Sequence, residues 1–299
     1  MQLNSEIITT PPLASATVVL LRDAPLKGLQ VFLLRRHTAS AVLGGAYVFP
    51  GGKLDEADCA PGLHAHLDTS PQSLRTALGE PNLHLHTAAG LYIAAVREVL
   101  EECGVLYARL HDRQVLTHDA HQRQHWQKAL HSGQAFADVL HSADLRVDTQ
   151  HLAPWSRWIT PMQASVTHKR FDTRFFMAVL PEGQHPIHDN IEAIDSVWLS
   201  PREALDRYWA GSLPLAPPQI MTLVSLLSHT CTTDVLNCAR PQTPPLILPE
   251  PFDDEEGVRT LCYPGDPRHS VSHRAMPGPT RLRFVAGRFE PVGGFEDFL

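Results

Sequence analysis

The chain lacks several features that would point to particular classes of protein. It contains no run of lysines or arginines, and the formal net charge of its 299 residues is −7. Because nonspecific binding to nucleic acid needs a basic surface, the charge argues against a nucleic-acid-binding protein. No apolar run approaches the roughly 20 residues of a membrane span, and residues 1–23 lack the pattern of a secretory signal. We therefore predict neither nucleic acid nor membrane as a partner.

The sequence also lacks the usual signs of a disulfide framework or of nucleophilic catalysis. Its five cysteines are scattered, with no C-x-x-C pair, which favours reduced thiols and predicts a cytoplasmic protein. Neither a G-x-S-x-G motif nor a P-loop is present. Two His-x-His pairs, at 64/66 and 84/86, could hold zinc, but no further ligand pair stands at a recognised zinc spacing.

The order of strand and helix patterns predicts one layered α/β domain over residues 1–231. Two apolar runs, "SATVVLLRD" and "LQVFLLRRH", flank a Pro- and Gly-containing turn and predict a β-hairpin. A short third strand, "GAYVF", ends at Pro50-Gly51-Gly52. Residues 59–88 are rich in Pro and Gly and are interpreted as an insertion, and residues 110–144 as extra helices. Three more strands and two helices are predicted from "WSRWITP", "RFFMAVLP", "DSVWLSP", "PREALDRYWAG" and "PPQIMTLVSLLSH".

Residues 232–299 differ in composition from the rest of the chain. They include the proline-rich stretch "PQTPPLILPEP" near their start, and "TRLRFVAGRFEPVGG" predicts a hairpin. We expect this C-terminal extension either to pack on the core or to form a contact in a homodimer.

A helix rich in carboxylates carries the strongest chemical signal. The stretch "TAAGLYIAAVREVLEECGV" has apolar residues at helical spacing, and Gly104 is placed to end the helix. Glu98, Glu101 and Glu102 would share one side of it, where like charges repel. A solvated acidic face is the ordinary interpretation, but the flanking residues are nearly all apolar. A site for a hard divalent cation such as Mg²⁺, completed by substrate phosphates, explains the pattern better.

Together with the preceding glycine turn, this helix resembles the Nudix box, G-x5-E-x7-R-E-U-x-E-E-x-G-U, with U aliphatic. The second half matches completely from Arg97 to Val105, and the first half matches at Gly52. The first acid falls on Asp58 in place of Glu, and 38 residues separate Asp58 from Arg97 where the box has seven. Since the cost of loop closure grows logarithmically, this lengthening costs only about 1.5 kcal/mol. The gap is therefore interpreted as an insertion within one motif.

The resemblance implies a Nudix α/β/α sandwich with a mixed sheet, and a hydrolase that cleaves a diphosphate linked to another moiety. Carried over by position, Glu98, Glu101, Glu102 and the carbonyl of Gly52 would bind Mg²⁺ or Mn²⁺. Arg97 would orient the carboxylates, and Asp58 would support the turn or a further metal. The general base is left open between Glu101, Glu102 and Glu192, the last of which could equally be an ordinary loop acid.

The segments around the box are similar to those of the coenzyme A diphosphatase branch of the family. That resemblance implies cleavage of CoA or acyl-CoA to 3′,5′-ADP and (acyl-)phosphopantetheine. Arg35, Arg36 and Arg174 are predicted to bind substrate phosphates, with Lys169 and Arg170 as further cations, since arginine forks onto phosphate oxygens. An NADH- or ADP-ribose-type diphosphatase and a nonenzymatic nucleotide sensor remain as alternatives.

Overall fold

The elements of the main sheet come from both halves of the chain. The computed structural model describes residues 3–4, 6–110, 120–164 and 166–299. The strands are β1 (Leu13–Ala24), β2 (Gly28–Arg36), β3 (Tyr47–Val48), β4 (Gly51–Lys53), β5 (Ala108–Leu110), β6 (Leu145–Val147), β7 (Ala153–Ile159), β8 (Phe171–Val179), β9 (Ala193–Leu199), β10 (Leu246–Ile247), β11 (Glu250–Asp253), β12 (Arg259–Cys262), β13 (Arg281–Val285) and β14 (Arg288–Pro291). The helices are α1 (Pro71–Leu78), α2 (Leu85–Cys103), α3 (Ala120–His131), α4 (Phe136–Ser142), α5 (Pro201–Trp209), α6 (Pro217–Leu226) and α7 (Thr232–Ala239).

Strand β1 lies at the centre of a mixed eight-stranded sheet. The order is β10-β7-β8-β1-β2-β3, with β4 added to β1 and β9 added to β2. β1 runs parallel to β8 from the pair Leu13↔Phe171 to the pair Leu21↔Val179, and antiparallel to β2. The predicted hairpin and the three later strands are confirmed. Because β4 pairs with the first half of β1, the glycine turn is held against the sheet.

Alternate residues of the central strands supply two cores, one on each face of the sheet. Val18 and Phe176 face α2, whereas Val19 and Met177 face α5 and α6. Helix α2 is buried nearly all round, and it ends at Gly104, whose φ of 69° is the left-handed conformation that favours glycine. Helices on both sides of a mixed sheet confirm the predicted α/β/α sandwich.

The insertion is more ordered than its Pro- and Gly-rich sequence suggests. Residues 56–66 form two short 3₁₀ turns. Helix α1 follows, begins with a bond from the Ser73 N–H to the hydroxyl of Ser70, and ends at Gly79. This segment packs against α2, which therefore lies between the sheet and the insertion. The helices predicted within residues 110–144 are found as α3 and α4, while residues 111–119 lie outside the described part.

The C-terminal segment extends the core. β10 adds to the edge of the main sheet beside β7, and β11–β14 form a separate four-stranded antiparallel sheet. Leu261, Leu282 and Phe289 of this small sheet belong to the same core as α5 and α6. The predicted hairpin is found as β13–β14, whereas α7, β10, β11 and β12 had no clear signal in the sequence.

None of the five cysteines forms a disulfide. Among the described residues, no helix combines the length and apolarity needed to cross a membrane.

The docking of the small sheet depends on one buried tyrosine. The hydroxyl of Tyr208 donates to the carbonyl of Phe289 at 2.7 Å and accepts from its N–H at 2.8 Å. We expect Tyr208→Phe to lower the free energy of unfolding by about 1–3 kcal/mol, because both backbone groups lose a buried partner. Urea unfolding measures this change. A variant as stable as the wild type would show that these bonds do not hold the segment.

Candidate active site

The glycine turn and helix α2 meet so closely that only glycine fits between them. A Cβ on Gly52 would lie 2.3 Å from Oε1 of Glu98, and one on Gly51 would lie 2.4 Å from the carbonyl oxygen of Ala16. The backbone N–H of Gly51 donates to Oε2 of Glu102 at 2.9 Å. The two halves of the box are therefore in direct contact, despite the residues between them.

Arg97 joins the two halves through its guanidinium group. Nε and Nη2 donate to the two carboxylate oxygens of Asp58, each at 2.9 Å, in a bidentate pair. Nη2 also donates to the carbonyl of Lys53 at 3.2 Å. Asp58 is 2% exposed and Arg97 is 8% exposed, so the pair is shielded from solvent. Asp58 thus occupies the place predicted for the first acid of the box and anchors the orienting arginine.

The same guanidinium reaches the carboxylates of α2. Nη1 donates to Glu98 at 2.9 Å and to Glu101 at 3.1 Å. Burial lowers the pKa of Arg97, but its bonds to Asp58 and the surrounding carboxylate charges outweigh that effect and leave the pKa raised. Arg97 therefore stays charged and positions two of the three glutamates.

One arginine does not balance the negative charge at this site. Burial raises the pKa of Glu98 to about 7, and the charge of Glu101 adds to the shift. Burial also raises the pKa of Glu101. The pKa of Glu102 is raised well above its ordinary value by burial and by the charge of Glu98. Buried carboxylates that repel one another are stabilised by a cation in their midst.

The donor types suit Mg²⁺ or Mn²⁺. Carboxylate and carbonyl oxygens are the ligands that these hard ions take, and the contact of Glu98 with Gly52 brings both kinds together. In the structure Glu98 and Glu101 contact Arg97, and Glu102 contacts the Gly51 N–H. Within the described ranges, no group of three or more His, Cys, Asp or Glu side chains is already gathered as a metal site.

Glu192 lies at the rim of the same cleft. The cleft has a volume of about 340 Å³, and Gly52, Glu98, Arg36 and Glu192 are among its lining residues. A carboxylate oxygen of Glu192 lies 3.7 Å from Nη2 of Arg36, and its side chain is 58% exposed. Its negative charge contributes to the raised pKa values of Glu98 and Glu102. The predicted candidate base is therefore close to the box carboxylates and open to solvent.

Asp189 fixes the loop that carries Glu192. Its Oδ1 accepts from the backbone N–H groups of Ile191, Glu192 and Ala193 at 3.0–3.1 Å. Its Oδ2 lies 3.5 Å from Nε2 of His131 on α3, and its side chain is 1% exposed. Sequence reasoning missed this residue, although Asp commonly forms turns by bonding backbone N–H groups a few positions further along the chain.

Residues 12–226, most of the chain, match the profile of the family described as the NUDT19 Nudix domain. This chain belongs to the NUDT19 Nudix family. The match confirms the resemblance inferred from the box, across its long insertion.

Named relatives of the NUDT19 Nudix family resemble the chain over most of its length. The human acyl-coenzyme A diphosphatase NUDT19 is 28% identical over 243 residues, covering 72% of this chain and 64% of the human protein. The chicken (Gallus gallus) protein of the same name is 28% identical over 241 residues, covering 69% of this chain and 63% of the chicken protein. The chain thus spans just under two thirds of the length of these relatives.

A solved structure supports the same fold. The crystal structure of a NUDIX hydrolase from Alicyclobacillus acidocaldarius is 25% identical, with a TM-score of 0.64, and covers 77% of this chain and 97% of the bacterial chain. The match includes nearly the whole of the bacterial chain, whereas about a quarter of the present chain lies outside it.

Two of the three arginines predicted to bind substrate lie outside the cleft. Arg174 is 3% exposed and forms a bidentate pair with Glu80 of the insertion, at 2.6 and 2.9 Å. Arg35 does not line the cleft, and its guanidinium lies 6.0 Å from the centre of the Tyr47 ring. Alternate residues of a strand face opposite sides, so only Arg36 of its pair reaches the cleft. Arg36 also has a buried Nε without a partner among the described residues.

Sequence reasoning did not identify Glu80 as the partner of Arg174. The two residues are 94 positions apart, and the insertion that carries Glu80 has no periodicity to orient it.

The histidines of the insertion contact one another and the neighbouring backbone. His64 stacks on His86, with ring centres 5.0 Å apart, and a ring nitrogen of His66 lies 2.9 Å from the carbonyl oxygen of Leu145.

The raised pKa of Glu98 predicts a pH-dependent stability. A carboxyl group with a folded-state pKa of about 7 and an ordinary value of 4.5 destabilises the fold progressively as pH rises between these values. In EDTA at pH 8 we expect Glu98→Gln to be more stable than the wild type, by about 1–3 kcal/mol. The difference should shrink at pH 5, as measured by urea unfolding.

Glu182→Gln serves as the control, because Glu182 is an exposed glutamate. Its stability should follow that of the wild type at both pH values. A Glu98→Gln variant less stable than the wild type at pH 8 would contradict the view that the ionised carboxylate is held unfavourably without a cation.

Proposed function

We propose that the chain is a Nudix pyrophosphohydrolase that cleaves CoA or acyl-CoA to 3′,5′-ADP and (acyl-)phosphopantetheine. The observation that carries this proposal is the excess of buried carboxylate beside a glycine turn, in a cleft with a cation at its rim. The names of the human and chicken relatives, both acyl-coenzyme A diphosphatases, support a CoA-type substrate.

The box residues and Arg36 would together hold the diphosphate. Glu98, Glu101, Glu102 and the Gly52 carbonyl would bind Mg²⁺ or Mn²⁺, which supplies charge neutralisation on the diphosphate and activates water for attack at phosphorus. Arg36 binds phosphate oxygens with a guanidinium that is only half-buried and has an unused donor. Arg97 keeps Glu98 and Glu101 in place and does not touch the substrate.

Glu192 is the group best placed to accept the proton of the attacking water. Its carboxylate is exposed to the cleft, whereas those of Glu98 and Glu101 contact Arg97 and that of Glu102 is buried against Gly51. As the water oxygen bonds to phosphorus, Glu192 takes the proton. The bond from phosphorus to the bridging oxygen breaks, and its electron pair leaves with the second phosphate. Asp189 would keep Glu192 at this position.

A hydrolysis panel tests the proposal. CoA, an acyl-CoA, NADH, ADP-ribose and a dinucleoside polyphosphate are incubated with Mg²⁺ or Mn²⁺, and products are identified by mass spectrometry. We expect turnover of the CoA compounds to 3′,5′-ADP, with kcat/KM lower by at least about 100-fold in Glu101→Gln/Glu102→Gln, because two metal-binding carboxylates are lost. Glu56→Gln, which changes an exposed acid just before the insertion, is the matched control and should keep wild-type activity.

Other results would change the proposal in distinct ways. Turnover of NADH or ADP-ribose in place of CoA would retain the chemistry and reject the substrate. Binding of these compounds without turnover of any of them would favour a nucleotide sensor.

A further inference from the structure

A second cavity opens beside the catalytic cleft and differs from it in chemistry. It has a volume of about 170 Å³ and is lined mainly by apolar side chains, including Trp158, Phe171 and Phe175. Thr17, Thr173 and Gln219 line both this pocket and the cleft. We call it the side pocket. A substrate whose diphosphate lies in the cleft therefore has an apolar pocket next to it.

Gln219 makes the side pocket selective. This residue of α6 is 7% exposed, and its Oε1 is buried without a hydrogen-bond partner among the described residues. A buried polar atom without a partner is unfavourable. A hydrocarbon chain would leave it unsatisfied, whereas a ring with both donors and acceptors on its edge can pair with the amide. The residue thus favours a heteroaromatic ring over an acyl chain.

The size of the side pocket leads to the same choice. An apolar protein cavity of roughly 150 Å³ holds one benzene ring, so a cavity of about 170 Å³ with an open mouth suits a flat ring system better than a long chain. Aromatic walls also favour a planar ligand, because aromatic rings pack well against one another.

Lys169 supplies a cation in the cleft beside the side pocket. It lines the cleft, and Phe171, two residues along the chain, lines both cavities. The other cations of the cleft have different roles, since Lys53 pairs with Asp55 at 2.6 Å and Arg36, 3.7 Å from Glu192, is assigned to the diphosphate. Within the described ranges no carboxylate pairs with Lys169, and its side chain is exposed. A lysine ammonium is a point charge suited to a phosphate.

We propose that the side pocket takes the adenine of the substrate and that Lys169 binds the 3′-phosphate of the same nucleotide. This inference rests on the proposed function. It gives the substrate a direction: the diphosphate lies between Gly52 and Arg36, the 3′,5′-ADP half lies toward Gln219, and the pantetheine and acyl end lies away from the side pocket.

Comparison of CoA with dephospho-CoA isolates the 3′-phosphate. We expect Lys169→Met to lower the ratio of kcat/KM for CoA to kcat/KM for dephospho-CoA by about tenfold, the loss of one charged hydrogen bond. Lys27→Met, which changes an exposed lysine in the β1–β2 turn, is the matched control and should leave the ratio unchanged. An unchanged ratio in Lys169→Met would overturn the assignment of the phosphate.

Gln219→Leu tests the occupant of the side pocket. We expect it to raise KM by a similar factor for acetyl-CoA and for a long-chain acyl-CoA, because both share the adenine. A loss or gain that grows with acyl-chain length would overturn the proposal and place the acyl chain in the side pocket.

Binding of 3′,5′-ADP, measured by calorimetry, separates this inference from the proposed function. If CoA is not hydrolysed but 3′,5′-ADP binds about tenfold more weakly to Lys169→Met than to the wild type, the pocket assignment stands and the catalytic proposal fails. If 3′,5′-ADP binds equally to both proteins, the pocket assignment fails whatever the activity.

Discussion

The buried pair of Arg97 and Asp58 is the interaction on which the arrangement of the cleft depends. It joins residues 39 positions apart and closes the insertion at its base. Because both groups are almost fully buried, loss of Arg97 would leave the Asp58 carboxylate as an unpaired charge in the interior, which is far more costly than loss of an exposed pair. The same guanidinium holds Glu98 and Glu101, so the geometry of the carboxylates depends on the closure of the insertion.

The insertion is stabilised by more than this pair. Arg174 of the central sheet binds Glu80 with both arms of its guanidinium, and Arg157 lies 2.8 Å from the same carboxylate. Helix α2 is thereby enclosed between the sheet and the inserted turns. Because α2 is buried nearly all round, the pKa values of its carboxylates Glu98 and Glu102 are raised. The insertion thus contributes to the electrostatics of the cleft as well as to its walls.

Local patterns predicted much of the fold. The strands, the helix α2 and its end at Gly104 follow from hydrophobic spacing and from the conformational freedom of glycine, which act within a few residues. The contact of the glycine turn with Glu98 followed from the resemblance to a known motif. Neither source could predict the partner of Arg174, because the contact joins distant segments and the insertion has no repeating pattern.

The strands also explain why only Arg36, of the three arginines predicted to bind substrate, lines the cleft. Arg35 and Arg36 are adjacent residues of the same type, so the sequence does not distinguish them. The register of β2 against β9 and β3 decides which side each one faces. Helix α7 and strands β10, β11 and β12 were missed because their segments are short, and β10 and β11 lie in a proline-rich stretch. Their packing on the rest of the core is a tertiary property that local sequence does not encode.

A double-mutant cycle on Asp58→Asn and Arg97→Gln tests the central interaction most directly. Unfolding in urea gives the coupling free energy, which we expect to be about 2–3 kcal/mol for a buried bidentate pair. The exposed pair Arg202 and Asp206, 3.0 Å apart on one helix, is the reference and should give about 0.3–0.5 kcal/mol. A coupling between Asp58 and Arg97 no larger than this reference would contradict the view that their contact closes the insertion and organises the cleft.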